Sequence, residues 1–155
     1  MKKLLTLVLA LALLMSLSAC GTKYEDTNGP DNYCLQTITD SDIVNLATGA
    51  SGLSYKEHDL GGFLSSSEYS SKNFNGVEQL YLTNFLSPSD VFVYIGHLDV
   101  SAGNFRLVVV NEDEIIFDIP LDTFNEEFYF ENLTGSFSIH VAGESAAFSF
   151  HMQIN

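Results

Sequence analysis

Residues 136–154 read SFSIHVAGESAAFSFHMQI and carry the clearest structural pattern in the chain. Large apolar side chains occupy every second position on either side of a glycine, at Phe137, Ile139, Val141, Phe148, Phe150 and Met152. A period of two is that of a β-strand, whose successive side chains point to opposite faces. The stretch therefore predicts a hairpin that turns at Gly143-Glu144, with an apolar face on a core and a wet face that includes Ser138 and His140.

Runs of similar composition precede this hairpin, at 77–86, 90–100, 104–110, 115–121 and 127–132. Turn-forming residues separate several of them, as in Ser-Pro-Ser at 87–89, Ser-Ala-Gly at 101–103 and Asn-Glu-Asp-Glu at 111–114. Short strands spaced by about 8 to 12 residues are typical of an antiparallel β-sandwich of the jelly-roll or immunoglobulin-like type. We place this all-β domain at 51–155, where the polar, glycine-rich stretch 52–74 predicts one or two edge strands.

The bulk composition fits a single folded, acidic domain. The chain has 155 residues, of which 46% are hydrophobic, and its formal net charge is −14. This apolar content supports a core and argues against disorder. A negative field of this size repels phosphate backbones, so we expect no nucleic-acid partner.

The N-terminus has the layout of a secretory signal peptide. Lys2 and Lys3 precede an uncharged apolar run at 4–15, and small residues follow that run. A helix over 4–17 would be about 21 Å long, short of the roughly 30 Å hydrocarbon core of a bilayer. Residues 1–19 are therefore predicted to be a cleaved signal peptide, and a permanent spanning helix is the alternative.

The residues before the predicted cleavage point, Leu17-Ser18-Ala19-Cys20, resemble the lipobox of bacterial lipoproteins. The resemblance implies cleavage after Ala19 and a diacylglyceryl group on the Cys20 sulfur through a thioether. Two acyl chains anchor a protein stably, where one chain binds reversibly. The implied location is the extracytoplasmic face of the cell membrane. A plain secreted chain, with an unmodified Cys20, is the alternative.

Residues 20–50 are interpreted as the lipidated cysteine followed by a tether with a possible short helix. Thr39 or Asp40 provides a helix cap, apolar residues follow it, and Gly49 ends the pattern. Because a lipidated Cys20 cannot form a disulfide, Cys34 remains as a free thiol or an intermolecular partner.

A second resemblance concerns the C-terminal half. The stretches GNFRLVVVNEDEIIFDI (103–119) and GSFSIHVAGESAAFSFHM (135–152) resemble the end of small β-sandwich domains in surface lipoproteins of Gram-positive bacteria. The similarity extends over about residues 77–154. It supports the sandwich fold and the surface location, and it implies no catalytic residues.

The residue types that commonly carry catalysis occur without a convergent pattern. Ser145 lies in a sequence like a nucleophile elbow, but a strand follows it where the elbow needs a helix. His97 and Asp99 share one side of a strand, as a surface pair does more often than a catalytic dyad. The remaining histidines, His58, His140 and His151, lack the spacing of a zinc site. We therefore predict no enzyme activity, no catalytic residue, no cofactor and no bound metal.

Calcium is the best of the metal alternatives, because three acidic groups fall in predicted turns. These groups are Asp40-Ser41-Asp42, Glu112-Asp113-Glu114 and Glu126-Glu127, and solvated turns explain them equally well. Outward tyrosines such as Tyr69, Tyr81 and Tyr129 offer platforms for sugar rings, with core or edge packing as the alternative.

Three functions follow in order of preference. The first is a lipid-anchored, non-enzymatic surface protein that binds a protein or a cell-envelope component. The second is a carbohydrate- or solute-binding lipoprotein, assisted at most by calcium, which a concave sheet face with two or more exposed tyrosines would favour. The third, a small hydrolase, requires a pocket that joins His97 or His58 to carboxylates.

Overall fold

A computed structural model describes residues 35–59 and 65–155, which belong to one compact unit, Asn32–Asn155. Its elements, in chain order, are α1 (Asp40–Val44), β1 (Ser54–Asp59), β2 (Ser65–Asn111), β3 (Glu114–Asp118) and β4 (Phe124–Ile154). Every strand pairing is antiparallel, which confirms the predicted all-β class. No helix in these two ranges is long and apolar enough to cross a membrane. Ala19, Cys20 and Cys34, with the signal peptide, lie outside the described residues.

The two long strands, β2 and β4, pair with each other along two ladders. In the first ladder, residues 66–97 of β2 run beside 153–124 of β4. In the second, residues 93–111 of β2 run beside 154–137 of β4. The C-terminal part of β4 therefore lies between two different parts of β2.

Bends divide these strands between two sheets that face each other. The first sheet contains, in spatial order, β1, 66–71, 148–153, 93–100 and 124–130, and the second contains 76–85, 135–143, 104–111 and β3. β2 and β4 both pass from one sheet to the other. In an immunoglobulin-like sandwich each strand stays in one sheet, so the arrangement is the jelly-roll alternative of the predicted β-sandwich.

The strands bend together along a shared corner. Pairing is irregular where β2 passes Gly76 and Gly103 and where β4 passes Ser145, and all three residues have positive φ angles of 106°, 73° and 53°. A side chain on Gly103 would overlap the Ser145 carbonyl oxygen, so this crossing needs a glycine. The predicted hairpin at Gly143-Glu144 is wrong, because the flanking segments pair with β2 and continue as one bent strand.

One predicted turn is a true hairpin. β2 and β3 are joined by two residues, Glu112 and Asp113, and Asn111 pairs with Glu114. Glu112 adopts a φ of 54°, the left-handed conformation that tight two-residue hairpins use. The acidic turn is therefore confirmed where it reverses the chain, whereas Ser-Ala-Gly at 101–103 only bends it.

The core lies between the inner faces of the two sheets. The alternating residues of the opening stretch are all buried there, as predicted: Phe137, Ile139, Val141, Phe148, Phe150 and Met152. Aromatic contacts link the sheets, for example between the Phe117 and Phe128 rings, whose centroids are 5.2 Å apart. Burial of these large rings supplies the main hydrophobic stabilisation.

The outer face of the second sheet is covered by the N-terminal segment. Thr39 caps α1 with a capping box to Asp42, and the helix ends at Val44, before Gly49. Ile43 is fully buried against Val108 and other apolar residues of this face. The predicted wet face is therefore wrong here, and α1 belongs to the folded domain instead of only leading into it.

Candidate functional site

A groove of about 410 Å³ opens at one end of the sandwich, between β1 of the first sheet and residues 78–81 of the second. It exists because β1 extends the first sheet laterally. Tyr55 of β1 pairs with Tyr69, and Tyr69 pairs with Phe150, so the three rings form one row on the inner face. The outermost ring of this row is exposed. The groove is thus a part of the inner surface that remains accessible.

Tyrosines from both sheets form the walls of the groove. The Tyr55 ring is 69% exposed and stacks on Tyr69, with centroids 6.4 Å apart. Tyr69 is buried and stacks in turn on Phe150 at 5.1 Å. Tyr81 enters from the second sheet and packs edge-on against the buried Phe137. The exposed Tyr55 platform is therefore supported by an aromatic row that continues into the core.

The groove combines an apolar floor with acidic side chains. Met152 is buried at the base, and Leu53, Leu80 and Ile154 add apolar surface. Glu57 lies on β1 and Glu78 on the facing edge. Burial raises the pKa of the Tyr69 phenol; a hydrogen bond with Ser67 opposes this rise, and the negative charge of Glu57 adds to it. The electrostatic field of Glu57 therefore reaches the aromatic wall.

The candidate catalytic residues are not brought together. Ser145 lies in the corner bulge, where its N–H donates to Asn75 Oδ1 at 2.8 Å. His97 is exposed and packs edge-on against Phe124, while Asp99 pairs with Ser149 in the same sheet. His140 and His151 are in different sheets. Among the described residues that line the groove there is no histidine or cysteine.

The acidic groups mostly serve structural roles. Asp42 accepts the capping hydrogen bonds of Thr39, which lower its pKa. Asp40 pairs with Arg106, whose guanidinium also binds Asp118. The predicted turn at Glu126-Glu127 is wrong, because both residues lie in β4 and pair with β2.

Two of the predicted calcium groups do meet on the surface. Asp40, Asp113 and Glu114 line a shallow depression of about 350 Å³ beside α1. Within 35–59 and 65–155, however, no three acidic, histidine or cysteine side chains are close enough to hold a metal ion. The depression gives no support to a calcium site.

The three tyrosines predicted to stack on sugars lie in three different environments. Tyr81 lines the groove, as a ligand platform would. Tyr69 is not outward but buried, because it lies in the central row of the inner face. Tyr129 is exposed on another surface, where it stacks on Phe92 and donates to Asp90 Oδ2 at 2.8 Å. Tyr55 was not singled out by the sequence. The only available signal was its place in a predicted edge strand.

Glu144 is the most heavily hydrogen-bonded carboxylate described. It accepts five hydrogen bonds, from the backbone N–H groups of Gln36, Thr37 and Ile38, the Thr37 hydroxyl and the Asn104 amide. Burial raises the pKa of Glu144, but these donors outweigh it and lower the pKa to about 2. Glu144 thus fastens residues 36–38, the N-terminal strap, to the corner of the sheets.

His140 forms a second link, to α1, which follows the strap in the chain. Its Nδ1 lies 2.8 Å from the Ile43 carbonyl oxygen, while its buried Nε2 has no partner. Burial lowers the pKa of His140, and the hydrogen bond to Ile43 opposes this effect. The neutral imidazole therefore donates from Nδ1 in the folded state.

Comparison with known proteins adds little to this picture. No protein-family model and no curated protein matches the chain. One solved structure, a cupin superfamily protein from Desulfitobacterium hafniense DCB-2, is similar at 12% identity and a TM-score of 0.36. The alignment covers 82% of this chain and 97% of that one. A likeness of this size carries no inference about function.

Proposed function

We propose that this chain is a lipid-anchored, extracytoplasmic and non-enzymatic binding protein whose ligand is a carbohydrate of the cell envelope or its surroundings. The single observation behind this choice is the groove, which presents Tyr55 and Tyr81 on a concave surface. Of these two rings Tyr55 is exposed and Tyr81 is half-buried, so the groove meets in part the condition of a concave face with two or more exposed tyrosines. The anchor itself rests on the lipobox-like sequence at Cys20.

The groove suits a sugar in both size and chemistry. Its volume of about 410 Å³ lies within the range of small-molecule sites. The exposed face of Tyr55 offers the flat apolar surface that the C–H face of a sugar ring can cover. Glu57, Glu78 and Gln79 supply the acceptors and donors that hydroxyl groups need.

Binding is tested with the full chain in detergent micelles on an array of immobilised oligosaccharides. We expect retention of at least one oligosaccharide class and at least about tenfold weaker binding by Tyr55→Ala, because the stacking platform is removed. Tyr129→Ala is the matched control, since Tyr129 is an exposed tyrosine outside the groove. Equal binding by the two variants, or retention of a protein partner but no sugar, would contradict the proposal.

The anchor has an independent test in cells. Labelled palmitate is expected to enter the wild-type chain and not Cys20→Ala, and only the wild-type chain should stay with the membrane fraction. Label that persists in Cys20→Ala would overturn the assignment of the lipid to Cys20.

A further inference from the structure

The charge of the groove restricts its ligand further. Glu57 and Glu78 come from opposite walls, one on β1 and one on the facing edge of the second sheet. Among the described residues that line the groove there is no lysine or arginine. Two like charges that face one cavity without a basic partner leave a negative potential within it. The formal charge of the chain, −14, has the same sign.

The aromatic walls favour a cation as well. The face of a tyrosine ring is negative, so a positive group over it is attracted through the ring quadrupole. Tyr55 is exposed on its face of the groove and lies two residues from Glu57 on the same side of β1. A ligand on this platform therefore meets a ring face and a carboxylate together.

From this juxtaposition we propose that the groove binds an amino sugar, a carbohydrate with free, protonated amines in place of hydroxyl or acetamido groups. The inference rests on the proposed function and specifies its ligand class. The sugar ring covers Tyr55, and its ammonium groups lie between Glu57 and Glu78. Neutral sugars lack the charge pairing, and acidic sugars are repelled by both carboxylates.

The test compares two trisaccharides with the same β-1,4 backbone: the trimer of glucosamine and cellotriose, which has hydroxyls in place of the amines. Affinities for the full chain in micelles are measured at a pH where the amines are protonated and the carboxylates ionised. We expect the glucosamine trimer to bind about tenfold tighter than cellotriose. Raising the salt from about 0.1 M to about 1 M shortens the screening length from about 10 Å to about 3 Å and should remove most of this preference.

Variants assign the preference to the groove. Glu57→Gln and Glu78→Gln are each expected to weaken the glucosamine trimer about two- to fivefold more than they weaken cellotriose, because the amide still hydrogen-bonds to hydroxyl groups but no longer carries the charge. Glu127→Gln is the matched control, because Glu127 is an exposed glutamate of β4 outside the groove. All three side chains are exposed, so the variants should fold.

The outcomes separate this inference from the proposed function. Equal binding of both trisaccharides, lost together in Tyr55→Ala, overturns the amino-sugar assignment and keeps the carbohydrate site. A preference that survives in the Glu57→Gln and Glu78→Gln double variant also overturns the assignment. Binding of neither trisaccharide overturns the amino-sugar assignment, and failure of every oligosaccharide on the array overturns the carbohydrate site as well.

Discussion

Replacing Glu144 by glutamine should loosen the N-terminal strap while leaving the sandwich intact. The carboxylate now accepts from three consecutive backbone N–H groups, at 2.7 Å from Gln36, 2.6 Å from Thr37 and 3.1 Å from Ile38. An amide of the same shape keeps one acceptor oxygen, but its NH₂ group meets a backbone donor at the other position. The variant therefore removes both charge and acceptor capacity.

The size of the effect follows from these contacts. A hydrogen bond to a charged group contributes about 1.5–3 kcal/mol, against about 0.5–1.5 kcal/mol for a neutral pair. Loss of the charge at three backbone donors would thus cost about 3 kcal/mol, and solvent at this partly exposed site reduces it. We expect Glu144→Gln to lower the free energy of unfolding by about 2 kcal/mol at neutral pH.

The pH dependence has a defined sign. The pKa of Glu144 falls from its ordinary value of 4.5 to about 2 on folding, because the strap's donors outweigh the effect of burial. The charged form thus stabilises the fold above pH 4.5, and this contribution is lost as the pH falls from 4.5 towards 2. The difference between wild type and Glu144→Gln should shrink over the same range.

Urea unfolding of the two chains at neutral pH and near pH 3 measures this difference, and hydrogen exchange locates it. Faster exchange is expected for the amides of 36–38 and α1, with little change at 124–130. A cost below about 0.5 kcal/mol at neutral pH, or an equal cost at both pH values, would refute this account of the strap.

Three further changes test the corner, the buried histidine and the ion-pair bridge. Gly103→Ala should cost at least about 2 kcal/mol in thermal or urea unfolding, because φ is positive and the Ser145 carbonyl is in the way. The control is Gly49→Ala, whose added Cβ meets nothing within 4 Å and which should change stability by less than about 0.5 kcal/mol. If both variants cost the same, the corner does not require a glycine at position 103. Because burial lowers the pKa of His140, the free energy of unfolding should fall as the pH drops below about 6.5. His140→Asn should reduce this pH dependence in urea unfolding, and an equal pH dependence in both chains would contradict the role given to His140. Arg106→Lys should cost about 1 kcal/mol by urea unfolding, because lysine cannot reproduce the paired contacts of 2.8 and 3.0 Å to Asp118, and a neutral result would show that the bridge contributes little.

The alternating pattern predicted strand positions and inward faces well, because burial is decided by side chains that repeat at a period of two. Phe137, Ile139 and Val141 are fully buried, as their spacing required. The cap was predicted at Thr39 or Asp40, and the structure places it at Thr39, because a cap depends on neighbours within one turn. Features that depend on residues close in the sequence, such as strand faces and helix caps, were therefore predictable.

Bends and covered faces were not predictable in the same way. Glycine is common both where a chain reverses and where a strand only bends, so Gly143-Glu144 looked like a hairpin. The polar side of the strand through His140 looked solvated, although a segment about a hundred residues away covers it, as the 97-residue separation between His140 and Ile43 shows. Tyr55 escaped notice for the same reason, since its role depends on which strand lies beside β1.

The strap also determines how the domain would bear a mechanical load. A pull on the chain before Leu35 reaches residues 36–38 first, and there it meets the four hydrogen bonds that these residues donate to Glu144. Only after these bonds and the buried Ile43 yield would tension reach β1, the outer strand of its sheet. If the proposed anchor holds the chain in flowing medium, drag would thus be transmitted to the corner and the outer face of the second sheet, and the groove beside β1 would keep its shape.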